Sequence, residues 1–152
     1  MMDSRFFAHS IIGVLVFSLG FFCGGVGEAV ASPRVIDGDT FELESGEKIR
    51  IRGVDTPEMK AKNARDRALA VAAKNELERL LQRGFRVERI GRDKYGRTVG
   101  EVFTYGGEVA EELIEKGFGR AYLYRLPKAK AEKMLEAQRR AQTKGIGIWS
   151  KK

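Results

Sequence analysis

The sequence predicts an α+β chain, mainly β, with three helices. Two observations carry this. Apolar and polar residues alternate in Phe41-Glu42-Leu43-Glu44, in Lys48-Ile49-Arg50-Ile51-Arg52 and in Phe85-Arg86-Val87-Glu88-Arg89-Ile90, the period-2 pattern of half-buried strands. Leu69, Ala73, Leu77 and Leu80 instead recur at helical spacing, with Lys, Arg and Glu between them.

Taken in order, the first 31 residues read as a secretory signal peptide. Arg5 gives a short positive start, Ile11 to Phe22 is mostly apolar, and Ala29-Val30-Ala31 before Ser32 is a small-x-small cleavage pattern. The expectation is cleavage near Ala31 and a secreted or periplasmic domain over 32–152. The alternative is an uncleaved, membrane-anchoring leader, although the apolar run is short against the ~20 residues of a spanning helix. Removing 31 of 152 residues leaves 121, enough for one domain with its own core. The leader carries Asp3, Arg5 and Glu28, a net −1, so its loss raises the charge from +7 to +8. It also carries the chain's one Cys (Cys23) and one His (His9). A mature chain without either residue has no zinc site of the Cys/His kind, no disulfide and no Ser-His-Asp triad. If the chain is an enzyme, its chemistry must come from carboxylates, Arg, Lys and Tyr, with or without a hard metal.

Asp37-Gly38-Asp39-Thr40 marks a tight turn before the first clear strand. A calcium loop of the helix–loop–helix kind is excluded, because Phe41 stands where a third oxygen ligand is needed. Ser45-Gly46 signals a hairpin between Phe41–Glu44 and Lys48–Arg52. A three-residue loop, Ser45-Gly46-Glu47, pairs Leu43 with Ile49 and Phe41 with Ile51, which keeps one face buried. That register places Asp39 opposite Gly53 and crowds Asp37, Asp39 and Asp55 at one hairpin end, with Glu58 just beyond. Carboxylates so close repel unless a cation or arginines neutralise them, and Ca²⁺ suits the ligand type.

Arg50 and Arg52 share the face opposite Ile49 and Ile51, just before Asp55-Thr56-Pro57-Glu58. Either arginine offers a two-donor fork for a phosphate, and strand geometry alone does not choose between them. A helix is expected over Ala61 to Leu81, ended at Arg83-Gly84. Asp93-Lys94-Tyr95-Gly96-Arg97 is a turn, and Thr98 to Tyr105 a further strand. Gly107-Glu108-Val109 leads a short helix with Leu113, Ile114 and Gly117. A last helix runs through Met134 and Leu135, before Gly147-Ile148-Trp149.

These pieces in series resemble the staphylococcal (micrococcal) nuclease family. The resemblance rests on Asp37-Gly38-Asp39-Thr40, on Arg50 five residues before Asp55-Thr56-Pro57-Glu58, and on Asp93-Lys94-Tyr95-Gly96-Arg97. It implies a five-stranded, partly open Greek-key barrel of the oligonucleotide-binding (OB) type with three helices. It also implies Ca²⁺-dependent cleavage of DNA and RNA that leaves 3′-phosphates, with no protein partner and a monomeric chain. By motif, Asp39, Asp55 and the Thr56 carbonyl would hold Ca²⁺, with Asp37 in support. Glu58 would activate the attacking water, and Arg50 and Arg97 would bind the phosphate. Lys94, Tyr95, Tyr122 and Tyr124 would contact the nucleotide, since stacking on aromatics tolerates any base. The family spacing to Asp55 favours Arg50 over Arg52. The segment from Glu58 to Asp93 is shorter than in the best-known member, and Ala110 stands where Asn is common. The alternative function is a non-catalytic nucleic-acid-binding OB module, which the basic charge would serve equally well.

Overall fold

A computed structural model describes residues 33–151; the expected leader lies outside the described residues. The strands are β1 (Arg34–Val35), β2 (Thr40–Glu42), β3 (Lys48–Ile51), β4 (Val54–Asp55), β5 (Phe85–Arg92), β6 (Thr98–Thr104), β7 (Gly107–Glu108) and β8 (Arg120–Ala121). The helices are α1 (Ala64–Leu81), α2 (Val109–Glu115) and α3 (Lys128–Lys144), with a 3₁₀ turn at Gly147–Trp149. The mixed α+β class and its three helices agree with the sequence.

The main sheet runs β1-β2-β3-β6-β5, with β7 pairing β6, and β4 pairs β8 separately. All pairs are antiparallel except β3 with β6. Among the described residues no ladder joins β1 to β5, so a closed barrel is not found.

The central hairpin departs from the expected register by two residues. Phe41 lies opposite Ile49 and Thr40 opposite Arg50. The Leu43 amide donates to the Glu47 carbonyl at 2.9 Å, and the Ile51 amide to Asp39 at 2.8 Å. The three loop residues are therefore Glu44, Ser45 and Gly46. A three-residue hairpin needs its last loop residue in the left-handed region, and Gly46 supplies it at φ 81°. The turn at Asp93 repeats the design, with Gly96 at φ 78°. A two-residue slip preserves the face of every side chain. The predicted apolar face is accordingly buried, with Phe41 and Ile49 fully enclosed and Ile51 nearly so.

Helix α1 starts three residues later than expected. The Asn63 side chain accepts the Asp66 amide at 2.7 Å and caps the helix there. Ala73, Leu77 and Leu80 face the core, together with Ala70 and Leu81. Leu69 is half-buried instead. Helix α2 is buried through Val109, Ala110, Leu113 and Ile114, so Ala110 is a core residue. Helix α3 buries Met134, Ala137 and Ala141 and ends at Gly145 in the left-handed conformation.

Glu47 ties the hairpin to the rest of the sheet. Its carboxylate accepts from Arg89 Nη2 at 2.7 Å on β5 and from Thr98 Oγ1 at 2.7 Å on β6. These bonds, Arg89 foremost, hold its carboxyl down from 4.5 to about 2. A depressed carboxyl contributes stability above its ordinary value and loses it as pH falls through the depressed one. Glu47→Gln should therefore flatten the acid limb of stability between pH 4.5 and 2. After allowance for solvent screening, it should cost about 1 kcal/mol near neutrality. Urea melts at several pH values check this; an unchanged acid limb would refute it.

Candidate active site

Asp39 lies at the bottom of the site. It is 6% exposed and sits between the Asp37 turn and the β4 loop. Its Oδ2 accepts the Thr56 amide at 2.9 Å and the Thr56 hydroxyl at 3.0 Å. Its Oδ1 accepts the Thr40 hydroxyl at 3.1 Å. The Arg50 guanidinium stands 3.3 Å away. Burial pushes the Asp39 carboxyl up to about 6, against the pull of Arg50 and the Thr56 bonds. Its negative charge is therefore under-compensated by the groups around it.

Asp37 serves the loop's shape, its Oδ1 accepting the Asp39 amide at 3.1 Å. Gly38 between them is required by proximity. A Cβ there would lie 2.6 Å from the Ala73 Cβ on α1 and 2.8 Å from the Thr56 hydroxyl. Gly38→Ala should cost about 1–3 kcal/mol, as overpacking does, and should lower activity by displacing Asp39. Retention of wild-type stability and turnover in thermal melts and assays would contradict this reading.

Arg50 wraps the β3–β4 turn. Its Nη1 donates to the carbonyls of Ile51 at 2.7 Å and Val54 at 2.8 Å, and its Nη2 to Asp55 Oδ1 at 3.2 Å. Asp55 is exposed on β4. Arg97 is fixed by Asp93, through Nε at 2.8 Å and the backbone amide at 3.0 Å. Its Nη1 reaches the Thr40 hydroxyl at 3.4 Å. The Thr40 hydroxyl thus accepts from Arg97 and donates to Asp39, and the two arginines are linked through Thr40 and Asp39.

The expected crowding of Asp37, Asp39 and Asp55 does not occur. Among the described residues no three acidic, His or Cys side chains gather at metal-ligating spacing. The reason is Arg50, which stands between Asp39 and Asp55, while Asp37 turns to the backbone.

Two cavities flank this centre. The larger, about 720 Å³, is lined by Arg50, Asp55, Lys94, Tyr95, Arg97, Tyr122 and Tyr124, together with Arg52, Arg92 and Arg125. Every expected nucleotide-contacting residue lies here. Tyr122 and Tyr124 have ring centroids 6.2 Å apart, and Lys94 covers the Tyr95 ring at 5.0 Å. Its six cationic residues against Asp55 and Asp93 make it a polyanion site. The smaller cavity, about 450 Å³, holds Thr56 and Glu58 and shares Asp55. Glu58 is exposed there.

Arg52 is separated from Arg50 by its partners. Its Nη1 pairs with Glu101 at 2.9 Å and its Nη2 donates to the Arg125 carbonyl. Lys130 completes the network by pairing with Glu101, and with Glu108 at 3.1 Å. Lys130 and Arg52 draw the Glu101 carboxyl downward against its burial. Two roles escaped the sequence reading: the Thr56 side chain as the clamp on Asp39, and Arg52 as the brace of the tyrosine loop. Neither has a local signal, because the partners are far apart in the chain.

Comparison with known proteins agrees with this geometry. The family model for staphylococcal nuclease homologues matches residues 48–151. A thermonuclease of Staphylococcus intermedius is 36% identical over 132 residues, covering 82% of this chain and 78% of its own length. A thermonuclease of Staphylococcus hyicus is 34% identical over 123 residues, covering 77% and 73%. A protein of Haemophilus influenzae named as an uncharacterized endonuclease is 29% identical over 155 residues, covering 99% and 81%. The arginine pair around a buried aspartate, and the match over most of the chain, place this protein in the staphylococcal nuclease family, as a nuclease hydrolase.

Proposed function

We propose that the chain is a Ca²⁺-dependent endonuclease that hydrolyses phosphodiester bonds of DNA and RNA with little sequence specificity and leaves 3′-phosphates. The observation that carries this is the pair Arg50 and Arg97, linked through Thr40 and Asp39 at the edge of a cationic, tyrosine-lined cavity. Guanidinium forks match the equatorial oxygens of a phosphoryl group as charge develops on them. Glu58, beside Asp55, orients and deprotonates the attacking water. The exposed tyrosines stack any base, so selectivity for sequence is low. The parallel β3–β6 pair within an otherwise antiparallel sheet supports the Greek-key OB reading.

The donor type present, hard carboxylate oxygen, suits Ca²⁺. Asp39 and Asp55 offer hard oxygens on either side of Arg50, and the under-compensated Asp39 charge favours a nearby cation. Asp39, Asp55 and the Thr56 carbonyl would hold the ion. When bound it supplies polarisation of a phosphoryl oxygen.

Plasmid and RNA digestion with Ca²⁺, then with EGTA, tests the reading. Cutting of both that stops with EGTA supports it. Nucleic-acid binding without cutting in Ca²⁺ would overturn it. Export after cleavage near Ala31 belongs to the same proposal, and N-terminal mass spectrometry of the exported protein checks it.

A further inference from the structure

We propose that the smaller cavity is a second substrate subsite, which receives the nucleotide on the far side of the scissile phosphodiester. The proposal rests on the nuclease reading of the larger cavity. The two cavities have a single lining residue in common, Asp55. A phosphodiester carries one nucleotide on each side of its phosphorus. A strand cut beside Asp55, with one nucleotide against the tyrosines, must send its other arm past Glu58 into the smaller cavity.

That cavity has the chemistry to receive it. Its walls hold two guanidinium groups, Arg65 from α1 and Arg120 from β8, and an apolar surface from Pro57, Leu69 and Ile148. Among the described residues neither arginine has a carboxylate partner within ion-pair distance. Both are anchored instead by neutral groups of the segment after α3. Arg65 donates to the Ser150 carbonyl and, at 3.3 Å, to its hydroxyl. Arg120 lies over the Trp149 ring, 5.4 Å from its centroid. That segment is pinned to the α2 end by the Ile148 amide, which donates to Gly117 at 2.9 Å. Three carboxylates line the cavity, of which Glu58 is the one left for the attacking water and the other two are engaged. Asp66 takes the Asn63 side-chain amide at 2.6 Å, and Asp55 takes Arg50. Two held but unpaired cations beside an apolar wall suit a phosphate and the sugar or base attached to it.

The test is equilibrium binding of fluorescein-labelled octathymidylate in EDTA, followed by anisotropy as potassium chloride is raised. A single-stranded phosphate contact contributes about 0.7 to the slope of log K against log salt. Arg120→Gln and Arg65→Gln should each weaken binding several-fold and lower the slope by about 0.7. Arg120→Lys should keep the slope, and Arg139→Gln, an exposed change on α3, should leave both quantities unaltered. Thermal melts of each variant monitor the fold, and Arg120→Gln leaves the Ser150 anchor intact. Unchanged slopes in both glutamine variants overturn the subsite, as does an Arg120→Lys variant no better than Arg120→Gln. A wild-type protein that fails to bind the octamer overturns the nuclease reading of the larger cavity itself.

Discussion

Arg97→Ala is expected to lower kcat about 10²- to 10³-fold, the usual cost of one donor aimed at developing charge, with little change in melting temperature. Its guanidinium is held by Asp93 and touches Thr40, and nothing in the core depends on it. Arg50→Ala should lose as much activity and stability besides, because it leaves the Ile51 and Val54 carbonyls without their donor. Arg52→Ala should behave in the opposite way. Removing one member of a buried ion network costs about 3–5 kcal/mol, while Arg52 has no part in the arginine pair. Its kcat should stay within a few-fold of wild type, and KM should rise as the tyrosine loop loses its brace at the Arg125 carbonyl. Single-turnover kinetics beside urea melts separate the three. A larger loss of kcat in Arg52→Ala than in Arg50→Ala would reverse the assignment.

Glu58→Gln is expected to reduce kcat by about 10²- to 10⁴-fold, the range of general-base catalysis. The change keeps the side chain's size and its place beside Asp55 and removes only its basicity. Binding of uncleaved oligonucleotide should stay level or improve, since one negative charge leaves the path of a polyanion. A variant that turns over within tenfold of wild type would show that the water is activated by another group.

The sequence made the strands and faces of this molecule legible, and the long-range partnerships illegible. Phe41, Ile49 and Ile51 were placed on the buried face by alternation alone, and the two-residue error in register left that face intact. The error had a local cause: Gly46 had to end the loop rather than sit in its middle. Asn63-Ala64-Arg65-Asp66 carried a cap signal that would have corrected the start of α1. The parallel pairing of β3 with β6 and the β4–β8 pair join segments separated by long stretches of chain, which periodicity does not address. In the site, motif spacing brought Arg50, Arg97 and the tyrosines to one cavity. It could not reveal that Arg52 answers Glu101, or that a guanidinium lies between Asp39 and Asp55. The first follows from the parallel β3–β6 pairing and the second from the β2–β3 register and the turn into β4, and local pattern is blind to both.

Gly38 packs on Ala73 and Thr56, and Thr56 in turn clasps Asp39 by two donors. The acidic turn and the loop that carries Asp55 and Glu58 are thereby fastened to each other and to the first helix. Warming should not idle this enzyme by loosening a flap. Turnover and tertiary structure should fail along one curve, and a sample cooled before it aggregates should recover both together.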